Sequence, residues 1–190
     1  MHRNLLGLLI ILILDTGCLR VVPGAKKSGI NTLTTVFFTG DEGNQYFIKP
    51  LKFHGSLQNN SLEIDVTFRF KDSYKGNATI NISFELPYAL KNIDSIVISS
   101  FILDKSAKLG EYNSSELQLT EIRRLFLESG DKSVTSRYTA KADLALLKRL
   151  WSTNSFYIRV FHSQKELNFN PTSKTIDKIG IIYQGVFNFD

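Results

Sequence analysis

From Leu62 to Phe70 apolar and polar residues alternate without exception, placing Leu62, Ile64, Val66, Phe68 and Phe70 on one face. A period of two is the signature of a strand buried on one side. Ala78 to Leu86 repeats the alternation after a polar connection, Lys71 to Asn77, that contains Asp72 and Gly76. The two segments therefore predict an antiparallel hairpin. Upstream, Leu33 to Thr39 and Gln45 to Phe53 are β-rich runs separated by the turn formers Gly40-Asp41-Glu42-Gly43-Asn44. Pro50 must stand at an edge or a bulge, because it cannot donate to a strand ladder. Downstream, Ser95 to Leu103 is dense in β-branched residues. Leu119 to Glu128 and Ser133 to Ala140 flank Ser129-Gly130-Asp131-Lys132 as a second hairpin. Ile122, Leu125 and Phe126 also fit a helix face, so residues 120–127 stay open between strand and helix.

The period then changes. Between Ala140 and Trp151, Leu144, Leu147 and Trp151 fall on one side of a helix, and Lys148 and Arg149 suit the negative end of its dipole. Phe156 to Phe161 and Glu166 to Phe169 return to strand around a polar turn, His162-Ser163-Gln164-Lys165. A last helix begins at Asn170-Pro171-Thr172-Ser173, with Ile176, Ile179, Ile182, Tyr183, Val186 and Phe187 in one apolar stripe that Gly180 and Gly185 weaken. Seven to nine short strands and two late helices predict a mainly β, α+β fold: an antiparallel β-sandwich or twisted sheet with the helices on an end or a face. There is no internal repeat and no low-complexity segment.

The chain is 190 residues long, 43% hydrophobic and 22% charged, which suits one globular domain with a core of its own. Its 12 Gly, 4 Pro and single Cys exclude collagen and disulfide scaffolds. The net charge of +5 makes nucleic acid, a membrane surface or a polyanion the classes of partner to consider. The longest basic runs are only the pairs Lys26-Lys27, Arg123-Arg124 and Lys148-Arg149, without interleaved aromatics, so no nucleic-acid partner is expected.

Catalytic and metal-binding motifs are missing from the sequence. A structural zinc site needs about four Cys or His ligands. Beyond the leader the chain offers Cys18, His54 and His162. The local signatures of zinc proteases, α/β-hydrolases, nucleotide-binding loops and EF-hands are absent. No metal, cofactor or catalytic residue is therefore expected. The fold could bring His54 or His162 near Asp41, Asp65 or Glu85, but their spacing does not ask for it, and Asp41 and Glu42 suit a hairpin turn. Among the aromatics, Tyr46, Tyr74, Tyr88, Tyr112 and Tyr157 fall at loops or outer faces; Tyr74, Tyr88 and Tyr112 are the candidate binding surface, with ordinary loop tyrosines as the alternative.

The N-terminus reads as an address. Leu5 to Leu14 is an uncharged apolar run behind Arg3, too short to span a bilayer of about 30 Å as a helix, and matches the core of an export signal. It runs into Leu14-Asp15-Thr16-Gly17-Cys18, which resembles the signal of bacterial lipoproteins. Gly17 and Cys18 match the family pattern. Asp15 departs from its preferred aliphatic residue, and Leu14 sits one position early. The resemblance implies a signal peptide over 1–17, diacylglycerol on Cys18 and a fatty acid on its amine. Leu19 after the cysteine implies sorting to the outer membrane or cell surface of a bacterial envelope. Cys18 is the only cysteine, so it cannot close an intramolecular disulfide. Residues 18–32, with Pro23, Gly24 and Gly29, read as a lipidated N-terminus and flexible tether, and 33–190 as one β-rich domain.

The expected function is thus a membrane-anchored, non-enzymatic envelope lipoprotein whose domain binds or organises an envelope protein or glycan. Two alternatives stay open. One is a secreted eukaryotic glycoprotein using the sequons at Asn59, Asn77, Asn81 and Asn113, although Asn81 falls within a predicted strand. The other is an envelope hydrolase with a site assembled from scattered residues.

Overall fold

The structure, a computed structural model, describes residues 30–57, 59–102 and 113–188. Cys18, the segment read as an export signal and most of the span read as a tether lie outside these, as does Tyr112. One helical turn, Ile30–Leu33, opens the described chain, so helical structure begins within the last residues of the span read as tether.

Ten strands form one antiparallel sheet: β1 (Thr34–Phe38), β2 (Asn44–Gly55), β3 (Ser61–Phe70), β4 (Asn77–Leu86), β5 (Ser95–Ile102), β6 (Asn113–Gln118), β7 (Thr120–Ser129), β8 (Val134–Asp143), β9 (Tyr157–His162) and β10 (Lys165–Pro171). The fold is mainly β with two late helices, as the periodicities predict. The predicted hairpin of β3 and β4 is present, with Ile64 opposite Ile82 and Val66 opposite Ile80. Pro50 stands in a bulge of β2, where the register against β3 shifts between Ile48 and Leu51. Residues 120–127 are strand throughout, and β7 and β8 form the second hairpin around Gly130, whose N–H donates to the Ser133 carbonyl at 2.8 Å.

The spatial order is β6-β5-β9-β10-β2-β3-β4-β8-β7, with β1 also lying on β2. Strands β6 and β7 stand at opposite ends of this order, yet a single residue, Leu119, joins them in sequence. A one-residue link can unite the two ends only if the sheet curls round until they meet, and it is a nearly closed barrel. Rings from strands well apart in the order confirm the curl: Phe84 on β4 lies 5.8 Å from Phe169 on β10. The β4–β5 connection crosses the inner face of β8, where Leu90 donates its N–H to Ser136 Oγ at 3.1 Å. Its carbonyl accepts from Tyr138 Oη at 2.6 Å.

The first helix, α1, spans Leu144–Trp151, four residues later than the sequence suggested at Ala140. Ala140 to Asp143 instead complete β8, because they pair with Asn77 to Ile80 of β4 and Ala140 and Ala142 continue the period of two into the core. Asp143 then caps the helix, accepting from Leu146 N–H at 2.8 Å. The second helix, α2 (Ser173–Ile182), is capped by Thr172, whose Oγ1 accepts from Thr175 N–H at 3.1 Å. It continues into a π-helical turn, Tyr183–Phe187.

Thr175 is nearly buried, and its Oγ1 donates to the Lys52 carbonyl at 2.6 Å, fixing α2 to β2. From the stripe predicted for this helix, Ile179, Ile182, Val186 and Phe187 are buried, while Ile176 and Tyr183 are half-buried. Phe187 stacks on Phe68 at 5.3 Å and meets Trp151 edge-on at 5.2 Å, so both helices plug one region of the barrel with aromatic rings.

Candidate functional site

Because side chains directly opposite one another share a face of a sheet, register alone builds a row of polar groups on the outer surface. His54 of β2 faces Ser61 of β3, and Ser61 faces Glu85 of β4. Lys52 joins them two residues before His54. These positions lie at the ends of their strands away from Tyr74 and Phe187. Two connections rise beside the row: the turn after β2, bearing Asn59 and Asn60, and the β7–β8 turn, bearing Lys132 and Ser133. Together they enclose a cleft of about 630 Å³.

The β2–β3 connection depends on a close approach. Gly55 N–H donates to the Asn60 carbonyl at 2.8 Å, and a Cβ on Gly55 would stand 2.7 Å from the Asn60 Cβ. Only glycine therefore lets the chain fold back this tightly. Asn59 takes φ of 75°, a left-handed conformation that asparagine tolerates better than most residues. The turn buries Asn60 to 5% exposure, with its Oδ1 lacking any hydrogen-bond partner. An unpartnered buried acceptor costs about 1–3 kcal/mol, a cost the tight turn carries.

Glu85 organises the cleft floor. Its Oε1 accepts from Ser133 Oγ at 3.1 Å and its Oε2 from Ser61 Oγ at 3.4 Å, joining β3, β4 and the β7–β8 turn. Serine, histidine and glutamate are thus neighbours, but not in the order of a hydrolytic relay. In such a relay the serine hydroxyl donates to the imidazole, whereas Ser61 donates to the carboxylate. Beyond the cleft, the outer face is a solvated polar lattice in which Asp65 accepts from Asn81 Nδ2 at 2.7 Å and from Arg137 Nη2 at 3.2 Å. No cluster of three or more His, Cys, Asp or Glu suited to a metal occurs among the described residues. None of their helices is long and apolar enough to cross a membrane.

The tyrosines singled out by sequence are not brought together in this cleft. Tyr74 is half-buried; its hydroxyl donates to the Val186 carbonyl at 2.6 Å and its ring packs 4.4 Å from Phe70 and 5.6 Å from Phe187. It is a clamp between the β3–β4 connection and the C-terminal turn. Tyr88 is 43% exposed behind Pro87. Tyr46 stacks on Phe68 at 5.1 Å, and burial raises its pKa while a hydrogen bond from the Asn44 side chain works against that rise. Tyr157 lines a shallower depression with Arg159 and Glu166. His162 bonds the Asn92 carbonyl through Nδ1 and does not approach the cleft.

Sequence reasoning passed over Asn60, Lys52, Lys132 and Ser133. Asn59-Asn60-Ser61 stood out only as a glycosylation sequon, and the pairing of distant strands that makes Ser61 a neighbour of Glu85 leaves no local pattern.

No protein-family model, no curated protein and no solved structure matches this chain.

Proposed function

We propose that the protein is an exported bacterial lipoprotein, held by lipid on Cys18 at the cell envelope, whose barrel-like domain binds a polar partner molecule in the outer cleft without chemically altering it. The observation that carries the binding role is the cleft itself, lined only by polar and charged side chains, in which Lys132 makes no ion pair among the described residues. The orientation of Ser61 toward Glu85 supports recognition over hydrolysis. The anchor rests on Gly17-Cys18 behind the apolar run and on the lack of a second cysteine. Asn81 favours a bacterial lipoprotein over a secreted glycoprotein. Its amide is engaged by Asp65 in the middle of β4, where a glycan would displace a formed hydrogen bond.

The test is metabolic labelling with radioactive palmitate, with cell fractionation of the Cys18→Ser variant beside the natural chain. Label on the natural chain and release of the variant from membranes are expected. An unlabelled chain whose mobility shifts on treatment with an Asn-glycosidase overturns the anchor in favour of the glycoprotein.

A further inference from the structure

We infer that the ligand of this cleft is an acidic saccharide, a sugar unit bearing a carboxylate. This deepens the binding role proposed above and rests on it. The charges come first. The lining side chains carry two ammonium groups, Lys52 and Lys132, and one carboxylate, Glu85, a net charge of +1. Lys132 makes no ion pair among the described residues. Lys52 reaches Glu63 only at 4.0 Å, with both side chains close to half exposed, a contact of the kind worth about 0–1 kcal/mol and easily exchanged. Both cations are therefore available to a ligand. A singly charged anion balances the site, whereas a neutral ligand leaves the excess positive charge in place.

The hydrogen-bonding groups specify the rest of the ligand. Glu85 already holds two serine hydroxyls and has remaining lone pairs for further donors. A ligand that fits must present hydroxyl donors beside its negative charge, which is the chemistry of a uronic-acid sugar. The cleft offers no Phe, Tyr or Trp ring among its lining residues, so the large apolar stacking face on which neutral sugars commonly rest is missing and charge-assisted hydrogen bonds must supply the affinity. Nor does the lining contain an apolar side chain to receive the residues of a peptide. Its volume, about 630 Å³, falls within the range of about 300–1,000 Å³ typical of small-ligand sites.

The experiment is isothermal titration calorimetry on the full-length processed protein purified from expressing cells, with tri-galacturonate as the probe. Galactotriose and tri-glutamate serve as the neutral-sugar and acidic-peptide comparisons. Tri-galacturonate should bind, weaken as NaCl is raised, and lose at least tenfold in affinity in Lys52→Ala/Lys132→Ala. Lys132 lies in an exposed turn, so Lys132→Glu serves as a second variant that leaves the core untouched and should lose more than Lys132→Ala.

Equal binding of galactotriose, tighter binding of tri-glutamate, or unchanged affinity in the lysine variants overturns the proposal. A screen of neutral and cationic polar compounds by thermal shift separates the two levels of failure. If one of these stabilises the natural chain but not Asn60→Ala, the acidic class is wrong and the cleft remains a site. If none does and tri-galacturonate is inert, the binding role fails as well.

Discussion

Leu119 donates its backbone N–H to the Ile96 carbonyl at 2.9 Å, and in the next residue the chain has turned to pair with β8, Thr120 standing opposite Lys141. One buried leucine is therefore the corner at which a continuous strand passes from one end of the sheet order to the other. Shortening it to alanine leaves a cavity where the chain covalently joins the two ends of the sheet order. Leu119→Ala should lose about 2–5 kcal/mol of stability by denaturant unfolding, with native secondary structure retained below the transition.

Phe68 and Arg69 are adjacent but face opposite media. Phe68 lies between Tyr46 and Phe187, while Arg69 points outward and pairs with Glu42. Phe68→Asp places an unpaired charge in the aromatic plug and should cost several kcal/mol. Arg69→Asp should cost no more than about 1 kcal/mol, the worth of an exposed ion pair. Thermal melts of the two variants check the difference.

The C-terminal helix belongs to the core. Ile179, Ile182, Val186 and Phe187 are buried, each contributing about 1.5–3 kcal/mol, and Tyr74 and Thr175 add fixed hydrogen bonds. Truncation after Pro171 should therefore give an insoluble or molten product. A soluble product with an unchanged melting temperature and native amide dispersion contradicts this.

Tyr138 couples stability to alkaline pH. Burial raises its pKa above the usual value of 10.0, although the nearby Arg124 cation works against the rise, and Tyr46 is raised by burial in the same way. A group whose pKa is raised on folding keeps its contribution below the unfolded value and loses it as pH climbs through the folded one. Stability should accordingly fall above about pH 10. Tyr138→Phe should flatten that fall. It should also lower stability at neutral pH by about 1–3 kcal/mol, because the buried Leu90 carbonyl is left without its donor. Chemical unfolding at several pH values measures both effects.

Phe38 is 56% exposed at the end of β1, a strand with Val36 and Phe37 also at its surface. Apolar edge strands invite association between chains. Phe38→Lys should change stability by no more than an ordinary surface substitution, about 0.5 kcal/mol, while raising the concentration at which the protein stays monodisperse by light scattering.

The individual strands were legible because a period of two is a local property. Burying one face of Leu62 to Phe70 requires every second residue to be apolar wherever the strand ends up, and Pro50 announces its bulge for an equally local reason. Local signals competed at two places. The apolar positions 144, 147 and 151 drew the first helix back over Ala140, although β4 offered those residues a full ladder. At 120–127 the apolar spacing fitted helix and strand alike, and pairing with β8 decided it.

By itself the sequence determined the mainly β composition of the domain, its two late helices, most of its strands and its apolar faces, because each follows from the medium that a short segment meets on either side. It also carried, as a linear pattern, the apolar run and Gly17-Cys18 on which the proposed anchor rests. The tertiary structure decided which strands are neighbours, that the two ends of the sheet meet at Leu119, and that His54, Asn60, Ser61 and Glu85 share one cleft while Tyr74 is spent on packing. Strand pairing is a choice among distant segments with similar alternation. Loop closure, register and core volume settle it together, and none of these is written in the spacing of any one segment.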